Sequence, residues 1–145
     1  MQTDRRTFLI GGAALLGGTA ILWQSGGAGA SGAVMTPDEA YRAVNAGEIL
    51  LVDIRRPDEW TATGIAEGAV PIDMRRDDFL TSVAAAANGR PVAIICARGV
   101  RSRRLAARMA AAGLTDVIDI PEGMLGSPAG PGWITRDLPI SVVTG

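Results

Sequence analysis

Apolar and polar positions along the chain alternate between a helical and an extended rhythm. Thr36-Pro37-Asp38-Glu39 opens a helix: Thr36 is placed to cap it, Pro37 suits the first turn, and Glu39 completes a capping box. Ala40, Tyr41 and Val44 supply its apolar stripe, and Gly47 ends it. Residues 49–54 form the nearly continuous apolar run expected of a strand buried on both faces. The pattern then predicts a short helical turn over 57–60, a short strand over 69–72 with Pro71 near its end, and a helix over 77–88 closed by Gly89. A third strand over 91–95 leads directly into Cys96. A helix over 102–112 follows, with Leu105, Met109 and Ala112 on its apolar side and Arg103, Arg104 and Arg108 on a solvated one. Gly113 stops that helix before a fourth strand over 116–120. The Gly- and Pro-bearing tail over 121–139 predicts a loop around one short helix. Strands alternating with helices at this spacing predict an α/β fold of three layers, a central parallel sheet flanked by helices.

The start of the chain follows a different pattern. Arg5-Arg6 precedes an uncharged apolar run over 8–23, shorter than the roughly 20 residues a helix needs to cross a bilayer. Small residues, Ala28-Gly29-Ala30, follow it. A basic start, an apolar middle and a small-residue end are the three parts of an export signal. Arg5-Arg6 with Phe8-Leu9 resembles the twin-arginine signal, which directs folded proteins across a bacterial membrane. The reading is therefore a signal over 1–30, cleaved after Ala30 or retained as an anchor, a linker over 31–35 and a working domain over 36–145. It implies contact with the twin-arginine export machinery and a periplasmic or otherwise exported location. The membrane is touched only during export or through an uncleaved signal.

Composition narrows the chemistry. Fourteen basic residues against fifteen acidic ones leave a net charge of −1, without the basic excess of a nucleic-acid binder. The absence of His excludes Ser-His-Asp and Cys-His catalysis and histidine-bearing zinc sites. One cysteine excludes an internal disulfide and a Cys-X-X-Cys redox pair. Every basic residue is Arg, which excludes a lysine Schiff base. No metal site or cofactor is read from the sequence.

The strongest chemical signal is Cys96-Ala97-Arg98-Gly99-Val100-Arg101-Ser102, set between a strand and a helix start. In open parallel sheets ligands bind beyond the carboxyl ends of the strands. A short loop there aims several backbone N–H groups at one spot, and the following helix adds the positive end of its dipole. Arg98 and Arg101 bring full positive charge. These features predict that Cys96 stands as an accessible thiolate, which needs no general base to activate it. Sulfane sulfur transfer suits such a site. The thiolate attacks the outer sulfur of an anionic donor such as thiosulfate, and the persulfide then passes its sulfur to a thiol or to cyanide. Asp53 and Arg55 are read either as support for the loop and its anion or as a structural ion pair, the latter being favoured. Trp60 is read as a core residue; Trp133 is divided between core and site.

Several segments together resemble the rhodanese family. Leu51-Val52-Asp53-Ile54-Arg55-Arg56-Pro57-Asp58-Glu59-Trp60 resembles that family's early segment, and Gly64-Ile65-Ala66-Glu67-Gly68-Ala69-Val70-Pro71-Ile72 its next conserved stretch. Cys96 to Ser102 is similar to its active loop, and Gly113-Leu114-Thr115-Asp116-Val117, Gly123, Trp133 and Leu138-Pro139 to its closing region. The resemblance implies the rhodanese-like fold and a sulfurtransferase of the thiosulfate type, with Cys96 as nucleophile and residues 97–102 around the donor. Two departures from the family stand out: Ile65 stands where it often has His, with Ala66 and Glu67 in place of Ile and Pro, and Ala97 stands where it is frequently basic. A phosphatase loop places five residues between Cys and Arg; here four separate Cys96 from Arg101, which disfavours that reading. The alternative is an exported sulfur carrier or binding module without turnover of its own.

Overall fold

The apolar runs become strands in the computed structural model, which describes residues 32–144. The export segment over 1–30 lies outside them. In chain order the elements are β1 (Ala33–Val34), α1 (Pro37–Asn45), β2 (Leu50–Asp53), α2 (Pro57–Thr63), β3 (Ile65–Ala66) and β4 (Val70–Pro71). They continue with α3 (Phe79–Ala87), β5 (Val92–Ile95), α4 (Val100–Ala111), β6 (Val117–Asp119) and β7 (Ile140–Ser141). Five strands form a wholly parallel sheet in the order β1-β6-β5-β2-β4, while β3 and β7 pair antiparallel beside it.

Successive strand side chains point to opposite faces, and here both faces are covered. Leu50, Val52, Val92 and Ile94 pack with Phe79 and Val83 of α3 and Leu105, Ala106 and Met109 of α4. Leu51, Ala93 and Ile95 pack on the other side with Ala40 and Ala43 of α1, Met124 and Trp133. This double burial is why β2 and β5 read as uninterrupted apolar runs.

Connectivity then places the site. The chain leaves β2 toward β4 on one side, whereas it leaves β5 toward β6 on the other. The loops after β2 and β5 therefore open side by side at the carboxyl edge of the sheet, where ligand crevices form in α/β folds.

The α1 capping box is present, with the Glu39 N–H donating to Thr36 Oγ1 at 3.3 Å and the Thr36 N–H to Glu39 Oε2 at 2.8 Å. Its buried positions are Pro37, Ala40 and Ala43, with Tyr41 and Val44 at the margin. Three expectations change. Part of the segment read as a linker, Ala33–Val34, is an edge strand paired to β6, because its backbone completes the ladder there. Helix α4 starts at Val100 rather than Ser102, since the left-handed turn at Gly99 (φ 78°) already aims the chain into the helix; Ser102 and Ala106 are buried, and Ala112 is exposed. The tail over 121–139 forms turns and no helix. Its Met124 and Leu125 N–H groups donate to the carbonyls of Cys96 and Ala97, at 2.9 Å each, instead of to a preceding helical turn.

That clamp depends on Gly123, whose φ is 70° and where a Cβ would collide with the Ala97 backbone. Gly113 has a similar φ of 90° but open space around it. Gly113→Ala is expected to cost about 1–2 kcal/mol from backbone strain alone. Gly123→Ala adds a backbone collision, and its cost should reach roughly 3 kcal/mol or more in urea unfolding. Equal costs would show that the tail does not press on the loop.

Candidate active site

Cys96 directly follows β5, and its sulfur faces the amino end of α4. The Gly99 N–H donates to Sγ at 3.1 Å and the Ser102 N–H at 3.4 Å, while Ser102 Oγ lies 3.5 Å from the sulfur. The first N–H groups of any helix lack intrahelical partners, and a side chain at the N-cap usually accepts from one of them. Gly99 occupies the N-cap without a side chain. The Cys96 sulfur takes that capping position. Among the described residues, the N–H groups of Arg98, Val100 and Arg101 meet no acceptor, so further donors line the same loop. Two amide donors and the amino end of a helix thus converge on one sulfur.

The two loop arginines divide their tasks. Arg98 is exposed and has no carboxylate within ion-pair reach among the described residues. Arg101 instead forms a bidentate pair with Glu59 of α2, at 2.8 Å from Nη1 to Oε2 and 2.6 Å from Nη2 to Oε1. Hydrogen bonding to Arg101 pulls the Glu59 carboxyl down to about 2, against the opposing effect of burial. Where the sequence leads one to expect two free positive charges, the Arg101 charge is matched by Glu59.

Asp53 and Arg55 form a buried ion pair at 2.7 Å, with side chains 0% and 1% exposed. The guanidinium also donates to Thr63 Oγ1 at 2.9 Å and to the Gly64 carbonyl at 2.7 Å, and Trp60 Nε1 donates to Asp53 Oδ1 at 3.1 Å. The pair thus ties the end of β2 to α2 and Trp60, with its donors directed into the protein. Trp133 is fully buried, its indole N–H bonded to the Pro139 carbonyl at 2.8 Å, which makes it core.

Accessibility differs from expectation. Cys96 exposes only 1% of its surface and belongs to the apolar cluster that holds Leu105 and Ala106 of α4. Two contributors carry no role in the sequence reading. Glu59 signals itself as a helix-start acid three residues after Arg56 and as part of the Leu51–Trp60 segment, with no partner legible there. Glu122, 3% exposed, holds Arg136 bidentately and accepts from the Gly132 N–H, pinning the tail. Among the described residues no cluster of three or more metal-ligating side chains exists.

A parallel sheet, a Cys-to-Arg loop and a helix aimed at the sulfur define a class of α/β domains. Residues 36–126 match the model of the rhodanese-like domain, and the chain belongs to that family. Its fold is that of solved relatives. It resembles Rv0390 from M. tuberculosis (TM-score 0.61, 25% identity, covering 77% of this chain and 98% of that one). It also resembles the polysulfide-sulfur transferase homodimer from Wolinella succinogenes (0.59, 23%, 77% and 80%). A third likeness is to a protein of unknown function, a possible tyrosine phosphatase, from Rhodopseudomonas palustris (0.59, 23%, 77% and 86%). No curated protein matches the chain in sequence.

The Glu59 carboxylate is stabilised in the folded state, so its contribution is complete above the ordinary value of 4.5 and is lost as pH falls toward about 2. Glu59→Gln should therefore flatten this part of the acid limb when urea stability is compared between about pH 5 and pH 2.5. An unchanged acid limb would mean the Arg101–Glu59 pair does not form in solution.

Proposed function

We propose that this rhodanese-like domain is a sulfurtransferase in which Cys96 carries the sulfur as a persulfide. One observation supports this above the others: two backbone N–H groups at the amino end of α4 donate to the Cys96 sulfur. In the first half-reaction the thiolate attacks the outer sulfur of thiosulfate. A bond forms between the two sulfurs, the donor's own S–S bond breaks, and sulfite leaves with the electron pair. In the second, a thiol or cyanide attacks the outer persulfide sulfur and Cys96 leaves as thiolate. The same N–H groups hold the charge in both directions, as an oxyanion hole does for oxygen. The Gly99 turn and the exposed Arg98 at the loop favour a small anionic donor.

The possible tyrosine phosphatase among the similar structures raises a second reading, and the four-residue spacing from Cys96 to Arg101 disfavours it. The sulfur-carrier alternative keeps the same persulfide but delivers it without turnover.

Exposure of the purified protein to thiosulfate should add about 32 Da, one sulfur atom, to the intact mass. Cys96→Ser should abolish both that gain and sulfur transfer to cyanide. No mass gain, or residual transfer in the variant, overturns the assignment. A persulfide without steady-state thiocyanate formation identifies the carrier.

We further propose export on the strength of Arg5-Arg6, Phe8-Leu9 and Ala28-Gly29-Ala30. Replacing Arg5 and Arg6 together by Lys should leave the protein in the cytoplasmic fraction of a bacterial host. Unaltered export would remove the twin-arginine reading.

A further inference from the structure

Helix α4 carries a charge pattern that its own folding does not explain. Its buried face is Ser102, Leu105, Ala106 and Met109. Helical spacing puts Val100, Arg103, Arg104, Ala107, Arg108 and Ala111 on the opposite face, and each of them is exposed. At the rise of a helix this makes a strip about 17 Å long. The first turns of α1 and α2 carry acids, Asp38 and Glu39 in one and Asp58 and Glu59 in the other. Helix α4 contains no acid at all. It sets Arg103 and Arg104 toward its positive end and leaves Arg104 and Arg108 one turn apart, where like charges repel.

The remaining guanidinium groups show how unusual this is. Arg55, Arg56, Arg75, Arg76, Arg101 and Arg136 each hold a carboxylate. Arg90 donates to the Ala86 and Ala87 carbonyls that end α3, and Arg42 acts on the Glu39 carboxylate of its own helix. Among the described residues no carboxylate lies within ion-pair reach of Arg98, Arg103, Arg104 or Arg108. Buried Asp119 feels the charge of Arg103 without that contact. Four unmatched cations therefore share one loop and one helix, and that loop begins at Cys96, in a chain whose net charge is −1.

The structure assigns this face a partner: an acidic polypeptide docks along α4 and takes the sulfur from Cys96 through its own thiol. The inference rests on the sulfurtransferase reading above. Thiosulfate is too short to span the strip. A bilayer is disfavoured, because the strip offers Val100 and alanines but no bulky apolar or aromatic side chain to enter the headgroups. Nucleic acid is disfavoured by the same lack of aromatic side chains and by the net charge. Carboxylates on a protein surface fit, since a guanidinium takes them bidentately, as Arg101 takes Glu59. The partner's thiol releases its proton to solvent, and its thiolate bonds to the outer persulfide sulfur. The bond from that sulfur to Sγ breaks, Cys96 leaves as thiolate, and the partner departs with the persulfide. Arg98 at the loop serves the small donor, while α4 beyond it selects the acceptor.

The test loads the full chain with thiosulfate and follows loss of the persulfide mass on adding a synthetic peptide that ends in Gly-Gly-Cys-amide. One peptide alternates Glu and Ala; its twin has Gln for every Glu. The Glu peptide should discharge the persulfide about tenfold faster than its twin at about 20 mM salt, and the two rates should converge near 0.5 M. Arg103→Gln, Arg104→Gln and Arg108→Gln together should erase that advantage and leave the rate of the Gln peptide unchanged. Equal rates for the two peptides, or an advantage that survives the triple substitution, overturn the docking site. Capture of the chain by phosphatidylglycerol vesicles without preference for the Glu peptide overturns it in favour of a membrane. Failure of the sulfurtransferase reading gives a different signature. Thiosulfate then adds no mass, yet a Glu peptide ending in Ser still binds the chain, and the triple variant loses that binding.

Discussion

Helix α4 begins with a glycine where most helices have a capping side chain, and the first-turn N–H groups must find acceptors elsewhere. Cys96, at the end of the adjoining strand, supplies one. A structural requirement of the helix and a chemical requirement of the nucleophile are thereby met by the same contacts. The amide that needs an acceptor orients the sulfur, and the sulfur that gains from a positive end receives one. Much of the architecture holds this meeting in place. Parallel pairing of β5 between β2 and β6 fixes where the loop starts, and packing of Leu105 and Met109 against the sheet fixes where the helix points.

Three further devices keep the loop from relaxing. Arg101 is bound to Glu59, so the helix start is tied to α2. Asp53, Arg55 and Trp60 lock α2 to the end of β2 from inside. Met124 and Leu125 cross the loop from the tail, with Glu122 and Arg136 anchoring that crossing to the body. Each replaces local flexibility with a contact between segments distant in sequence, as a preorganised site requires.

How much of this was legible in the chain differs by element. Central strands and the α1 cap could be read directly, because burial on both faces forces an unbroken apolar run and a capping box is local chemistry. The Cys96 loop was legible for the same reason: strand, glycine and helix start lie within a few residues of one another. The tail was not, because its N–H groups answer to Cys96 and Ala97, and periodicity cannot register partners so far away. The short strand at Ala33–Val34 was likewise invisible, since two residues carry no period. Arg101 misled through its neighbours. Beside Cys96 it reads as free charge, and only the fold brings Glu59 to it.

The sheet's two outer strands have a consequence for the behaviour of the folded chain in concentrated solution. β1 and β4 each comprise two residues, and β4 ends in Pro71, which has no N–H to offer. A neighbouring molecule seeking to add a strand at either margin would find a ladder too brief to repay the entropy of joining it, and on one side lacking a donor. Protection from edge-to-edge aggregation is therefore built into the frame that holds the sulfur, leaving its interior apolar residues free to pack without recruiting a second sheet.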